Sequence, residues 1–370
     1  MRSLMTVLGC LGAVALSVAS LAAAGEVRVQ GGGASFPKAL YLRWASDYSK
    51  QNPGTQVEYN SQGSGFGIAG ITNKTLDFAG SDAPMNRKER EAAKEAAGGG
   101  AGTGGAGGGA GGGAGGGGGT DVLHIPSCAG AVVIAYNLPG YDGDLKLTGE
   151  IIADVYLGRI SKWNDAKIAA ENPDAKLPDL GITPVCRADG SGTSFVFTSY
   201  LGTQSSDFLK QVPPTKQFPL KVGQAEKGNE AVSNRVRSTP GAFGYVELTY
   251  ALNEKLQHAL VKNKAGKYIK ASTASVSKAG EKAENLVSPI WNSPAEEAYP
   301  ISSFTYLLVY KDLGSMPRDK ASAVKGFLKY ALSTGQSTAE ELYYAPLPET
   351  VKAKAIEAID AITWKGEALK

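Results

Sequence analysis

Histidine is scarce: the chain has two, His124 and His258, and neither stands near the loops that carry Ser64 and Ser191. A nucleophilic serine needs a base within reach, so Ser64 and Ser191 have no evident partner for covalent catalysis. His, Asp and Cys nowhere fall at metal-ligand spacing, which argues against metal-assisted hydrolysis. The formal net charge is only +3 and no basic block is dense, so neither nucleic acid nor an acidic membrane surface is demanded. After residue 21 no apolar run approaches membrane-spanning length. These gaps point away from an enzyme and a cofactor, and they require any anion site to be local.

The apolar excess collects at the N-terminus. Arg2 supplies a positive start, residues 4–21 are apolar, and Ala22-Ala23-Ala24 offers a small-residue cleavage site, the pattern of an export signal over 1–24. A membrane anchor is the alternative reading, although small residues break up the stretch, and Cys10 leaves lipid attachment open. Cleavage before Gly25 leaves two of the three cysteines, Cys128 and Cys186, in an oxidising compartment. They can pair as a disulfide tying two strands together, or stand as two separate buried thiols.

Glycine, by contrast, is abundant at 48 residues. The tract 98–119 is nearly all Gly with scattered Ala, and without side chains to repay backbone ordering it reads as a flexible insertion. Other glycines punctuate strand-to-helix joints. Arg187-Ala188-Asp189-Gly190-Ser191-Gly192-Thr193-Ser194-Phe195 joins an apolar run to a helical run from Ser191. A helix N-terminus opened by hydroxyls is an anion cradle, and Arg187 adds a planar fork that Asp189 can hold still. Gly31-Gly32-Gly33-Ala34-Ser35-Phe36-Pro37 and Ser61-Gln62-Gly63-Ser64-Gly65 repeat the design, with Ser64 expected to cap its helix.

Residues 76–81 read as a buried strand ending in Asp82, which stands beyond a strand's carboxyl end or caps the helix expected over 86–97. Residues 122–137, interrupted by Pro126 and Gly130, read as a strand crossing between domains, on which His124 is structural. Trp163 is expected in the core, 253–292 as a helix and surface loops, and 304–310 as the returning strand. Val324, Phe327, Leu328, Ala331 and Leu332 share a helical face, and 343–348 form a docking loop before a last helix.

Taken together, Ala34-Ser35-Phe36-Pro37, Gly63-Ser64-Gly65, Asp77-Phe78-Ala79-Gly80-Ser81-Asp82-Ala83-Pro84, the Arg187 motif, Pro240-Gly241-Ala242-Phe243-Gly244-Tyr245-Val246 and Ala345-Pro346-Leu347-Pro348 stand in a characteristic order. In that order and spacing the chain resembles the periplasmic phosphate-binding proteins of the phosphate ABC transporter, the PstS family. The resemblance implies an α/β, two-lobed periplasmic binding protein fold (type II), with two domains joined by a hinge of crossing strands. Lobe I would be 25–127 plus 301–370, and lobe II 128–300. It implies inorganic phosphate as ligand, the transporter's permease and ATPase complex as partner, a periplasmic monomer, and no nucleic acid. A sensor or surface-associated binding protein on the same fold is the alternative. The family's ligand positions fall on Ser35, Phe36, Ser64, Asp82, Arg187, Ser191, Gly192 and Thr193, with Asp189 supporting Arg187. Two departures stand out: Ser35 replaces a common Thr, and Gly65 follows Ser64 where a second Ser is common.

The chemistry suits that assignment. Phosphate near neutral pH carries a proton and sulfate carries none, so a buried carboxylate accepts a hydrogen bond from the first and repels the second. Asp82 is the expected discriminator.

Overall fold

Extended segments alternate with glycine loops and helical periodicity, and each extended segment becomes a strand that feeds a helix. The computed structural model describes residues 26–98 and 120–369. The expected export signal, Cys10 and the glycine tract after Gly98 lie outside the described residues.

The first segment runs β1 (Val27–Gly33), α1 (Lys38–Gln51), β2 (Thr55–Ser61), α2 (Ser64–Thr72), β3 (Phe78–Ser81) and α3 (Arg87–Ala97). After the long β4 (Val122–Tyr136) come β5 (Lys146–Leu147), α4 (Gly149–Tyr156), α5 (Ala166–Glu171), β6 (Thr183–Arg187), α6 (Gly192–Gln204) and α7 (Ser206–Gln211). The chain continues through β7 (Gln224–Glu226), α8 (Gly228–Ser238), β8 (Ala242–Glu247), α9 (Leu248–Asn253), β9 (Gln257–His258), β10 (Leu260–Lys262), β11 (Tyr268–Ile269) and α10 (Thr273–Gly280). It closes with β12 (Ser302–Tyr310), α11 (Arg318–Leu332), α12 (Glu349–Asp360) and the hairpin β13 (Thr363–Trp364) and β14 (Glu367–Ala368).

The main sheet has the order β2-β1-β3-β12-β4-β8-β6-β7. β1 is parallel to β2 and β3, and β6 is parallel to β7 and β8. β4 belongs to both sides: residues Val122 to Ala131 pair with β12, and Val132 to Tyr136 pair with β8. This makes a two-lobed α/β fold with β4 running through the join. Each side has its own aromatic core. On one, Tyr41 meets Tyr59 edge-on at 5.0 Å; on the other, Phe197 stacks on Tyr245 at 4.2 Å.

β4 is one continuous strand in spite of Pro126 and Gly130, and both residues have reasons. Tyr306 pairs with Pro126 and Thr305 with Cys128, so Ser127 is an extra residue in a bulge, where a proline lacking its N–H is tolerated. A Cβ on Gly130 would sit 2.6 Å from the Phe36 ring, so glycine there makes room for that ring.

The cysteines do not pair: Cys128 and Cys186 are both buried free thiols. Val185 lies opposite Gly244, and Gly244 opposite Ala135, which puts Cys186 two strands from β4 and level with its far end. At about 3.3 Å per residue the two are on the order of 20 Å apart, well beyond disulfide reach. The stretch expected as a helix and loops also holds β9, β10 and β11, with Val261 fully buried and paired to Leu147. Trp163 is fully buried, as expected. Among the described residues no helix is long and apolar enough to cross a membrane.

Candidate functional site

Parallel strands present their carboxyl ends on one edge, which is where open α/β sheets gather ligand groups. From one lobe, Ser35 and Phe36 follow β1, Ser64 opens α2 after β2, and Asp82 follows β3. From the other, Arg187 ends β6, Ser191, Gly192 and Thr193 open α6, and Asn229 opens α8 after β7. The two sets meet: Gly65 N–H donates to Gly190 O at 2.7 Å, and Gly192 N–H to Ser64 Oγ at 3.1 Å. All eight residues expected as ligands are brought to this join and buried, with Asp189 beside them. The Phe36 ring is part of the core, so only its backbone can serve the site.

Ser64 is not the cap of α2. Gly63, at φ 99°, takes that position without a side-chain bond, and Ser64 is the first helical residue. Its hydroxyl is thereby turned to the site. Asp82 does not cap α3 either, because Asn86 forms a capping box with Glu89. Ser191 does cap α6, accepting from Ser194 N–H at 3.1 Å.

Hydrogen-bond counting fixes what the hydroxyls can offer. Ser64 Oγ accepts from the N–H groups of Asp82 at 3.2 Å and Gly192 at 3.1 Å. Ser35 Oγ accepts from Asn229 N–H at 3.3 Å and Nδ2 at 3.0 Å. Thr193 Oγ1 accepts from Asn229 Nδ2 at 3.3 Å and Arg187 Nη1 at 3.4 Å. A hydroxyl has two acceptor positions and one hydrogen, so each of these three has only its hydrogen left to give.

Arg187 is buried and donates through Nε to Asp189 Oδ1 at 2.8 Å and through Nη2 to Oδ2 at 2.6 Å. Of the five guanidinium donors, these and the Thr193 bond engage three among the described residues, leaving two for a ligand. Burial pushes the Asp189 carboxyl up, but the Arg187 hydrogen bonds and charge outweigh it and hold it below its ordinary value. Asp82 goes the other way. Burial lifts it to about 7, only partly offset by the Thr305 hydroxyl and the Arg187 charge. Thr305 Oγ1 donates to Asp82 Oδ1 at 2.8 Å, while Oδ2 lies against Gly192, where a Cβ would come within 2.6 Å of it. The arrangement is therefore a shell of donors around one acceptor.

Asn229, Thr305 and Glu247 are participants that the sequence reading missed. Gly228-Asn229-Glu230 shows only as a helix start, and Thr305 is hidden in an apolar run. Glu247 is fully buried beside the hinge, and burial raises its carboxyl well above the ordinary range. His124 is structural, as expected: its Nε2 accepts from Met85 N–H at 2.9 Å, and burial lowers it to about 4.

The model of the PBP superfamily domain matches residues 19–334. A phosphate-binding protein PstS from Xylella fastidiosa (strain 9a5c) is 37% identical over 348 residues, covering 92% of this chain and 86% of its own. A PstS from Methanocaldococcus jannaschii is 32% identical over 381 residues, covering 97% and 92%. Two solved structures share the fold. One is a high affinity periplasmic phosphate-binding protein bound with phosphate, with TM-score 0.67 at 21% identity over 88% of this chain and 92% of its own. The other is a phosphate binding protein from Stenotrophomonas maltophilia, with TM-score 0.63 at 19% identity over 89% and 93%.

Proposed function

This chain belongs to the PstS family within the PBP superfamily, and on that premise we propose that it binds inorganic phosphate outside the cytoplasm and delivers it to a phosphate ABC transporter. The observation that carries the reading is the buried Asp82 carboxyl, whose Oδ1 takes the Thr305 hydroxyl while Oδ2 lies against Gly192, set among hydroxyl, guanidinium and backbone donors.

The ligand shell comprises Ser35, Ser64, Ser191 and Thr193 through their hydroxyls, Phe36 and Gly192 through backbone, Arg187 through its two remaining donors, and Asp82. Donors neutralise the charged oxygens of the anion, and the Asp82 carboxylate accepts a hydrogen bond from the O–H that phosphate retains. Sulfate brings no proton and meets an uncompensated negative charge in a buried site. Arg187 is held for this task by Asp189, whose Oδ1 also takes the Gly228 N–H at 3.0 Å.

The lobes we assign are 25–127 with 301–370 and 128–300; β4 changes partners from β12 to β8 between Ala131 and Val132, which supports a join along that strand. We read the protein as an exported, periplasmic monomer and as a carrier, not an enzyme. The serines support this, since neither described histidine is hydrogen-bonded to Ser64 or Ser191: His124 accepts from Met85 N–H and His258 meets Leu256 O. Deleting the gene tests the transport role. Loss of phosphate uptake, restored by the parent gene and not by an Arg187→Ala copy, is expected. Unchanged uptake would instead assign the protein to sensing or surface binding.

A further inference from the structure

We propose that Asn229 is a specificity-setting positioning residue: its side-chain amide, locked in one orientation, makes Ser35 and Thr193 present hydrogen and not lone pairs to a bound oxyanion. The inference rests on the phosphate-binding reading above.

Asn229 is fully buried in the first turn of α8. A carboxamide has an accepting end and a donating end, and here the choice between them is made by the backbone. Glu247 N–H donates to Asn229 Oδ1 at 3.2 Å, so Nδ2 is the end that faces the hydroxyls. Glu247 is held in turn by the pairing of β8 with Val132 of β4. From that fixed position Nδ2 reaches Ser35 Oγ in one lobe at 3.0 Å and Thr193 Oγ1 in the other at 3.3 Å.

Each contact fills an acceptor position that the hydroxyl could otherwise turn toward the ligand. The bonds to Ser35 cross between lobes, so the polarity of the shell is completed when the lobes are together. An aspartate of the same shape would reverse it. Its oxygens would accept from both hydroxyls and turn their hydrogens away from the anion. The charged groups around Asn229 are Arg187 through Thr193, Asp189 through Gly228 N–H, Glu247, and Lys38, Lys227 and Glu230 in the adjoining groove, which Tyr250 also lines.

The test is a cycle of phosphate affinities by calorimetry, with ligand-free melting as a folding control. Asn229→Ala is expected to lose about tenfold in phosphate affinity in the parent chain. In a Ser35→Ala or a Thr193→Val background, the same substitution should lose clearly less, because the group through which it acts is gone. Asn229→Asp should lose more than Asn229→Ala despite matching the native shape. Equal losses from Asn229→Ala in all three backgrounds would overturn the proposal. So would an Asn229→Asp variant that binds better than Asn229→Ala. If the parent chain itself fails to bind phosphate, the functional reading falls and this inference falls with it, a result distinct from the other two.

Discussion

Asp82 carries a cost that its neighbours only partly offset. Its carboxyl rises from an ordinary 3.8 to about 7, chiefly through burial. The folded protein therefore holds a proton there that the unfolded chain releases between those values. Stability from this group is full below about pH 4 and is lost as pH rises to about 7. The shift of about 3 units corresponds to an upper bound of about 4 kcal/mol. Asp82→Asn should therefore raise the ligand-free melting temperature above pH 7 and bring little gain below pH 4, as calorimetric scans at the two pH extremes would show. The sulfate rejection proposed for this group should have the opposite pH dependence. Below about pH 7 the carboxyl gains a hydrogen it can donate to any oxyanion, so sulfate affinity should rise as pH falls through that value. A sulfate affinity that is flat with pH would count against the role. Asp82 could be picked out in the sequence because a strand ends just before it, whereas its partner Thr305 could not. Thr305 points at Asp82 from β12, opposite the bulge at Ser127 in β4, and a run such as Ser302–Tyr310 carries no mark of that partnership.

At the scale of elements, the N-terminus of α6 is the piece that must fit most closely. Gly192 has an ordinary backbone conformation, so alanine would suit the helix itself. Its methyl, however, would overlap Ser64 Oγ and lie 2.6 Å from Asp82 Oδ2 in the opposite lobe. Gly192→Ala is expected to weaken phosphate binding by about a hundredfold or more while costing less ligand-free stability than the ~1–3 kcal/mol of core overpacking, because the atoms the methyl meets lie in the opposite lobe and parting of the lobes relieves the overlap. Titration together with thermal melting checks this, and a parallel loss of both would point to a folding defect instead. Elements whose signals are local could be read from the sequence: α4 after Thr148, α6 after Ser191 and the last helix after Pro348. Elements defined by distant partners could not. The short strands β10 and β5 exist because they pair with each other, and the choice between a bridge and two separate thiols at Cys128 and Cys186 stayed open because strand register depends on neighbours far away in sequence.

At the scale of the molecule, the proposed binding shell takes half of its residues from each lobe. Around the rim, Lys38 bonds Glu230 at 2.7 Å, Lys227 bonds Gln62 at 2.8 Å, and Lys216 pairs with Glu89, all between the lobes. These contacts are on the rim and at least partly exposed, so each contributes modestly, and salt screens them. Most of the closing free energy must then come from the ligand, which joins donors from both sides. Small-angle scattering should show compaction on addition of phosphate, and an unchanged radius of gyration would contradict a hinge mechanism. The two-lobed plan itself was legible because β4 and β12 stand out as long buried strands at the expected crossings.

The most direct test of the central claim is a calorimetric titration of the purified protein with phosphate and with sulfate above pH 7, repeated with Asp82→Asn. The parent should bind phosphate and reject sulfate by a factor on the order of 10⁴ or more, and the substituted protein should lose far more of that selectivity than of its phosphate affinity. Sulfate bound as well as phosphate by the parent, or selectivity untouched by the substitution, would contradict the account.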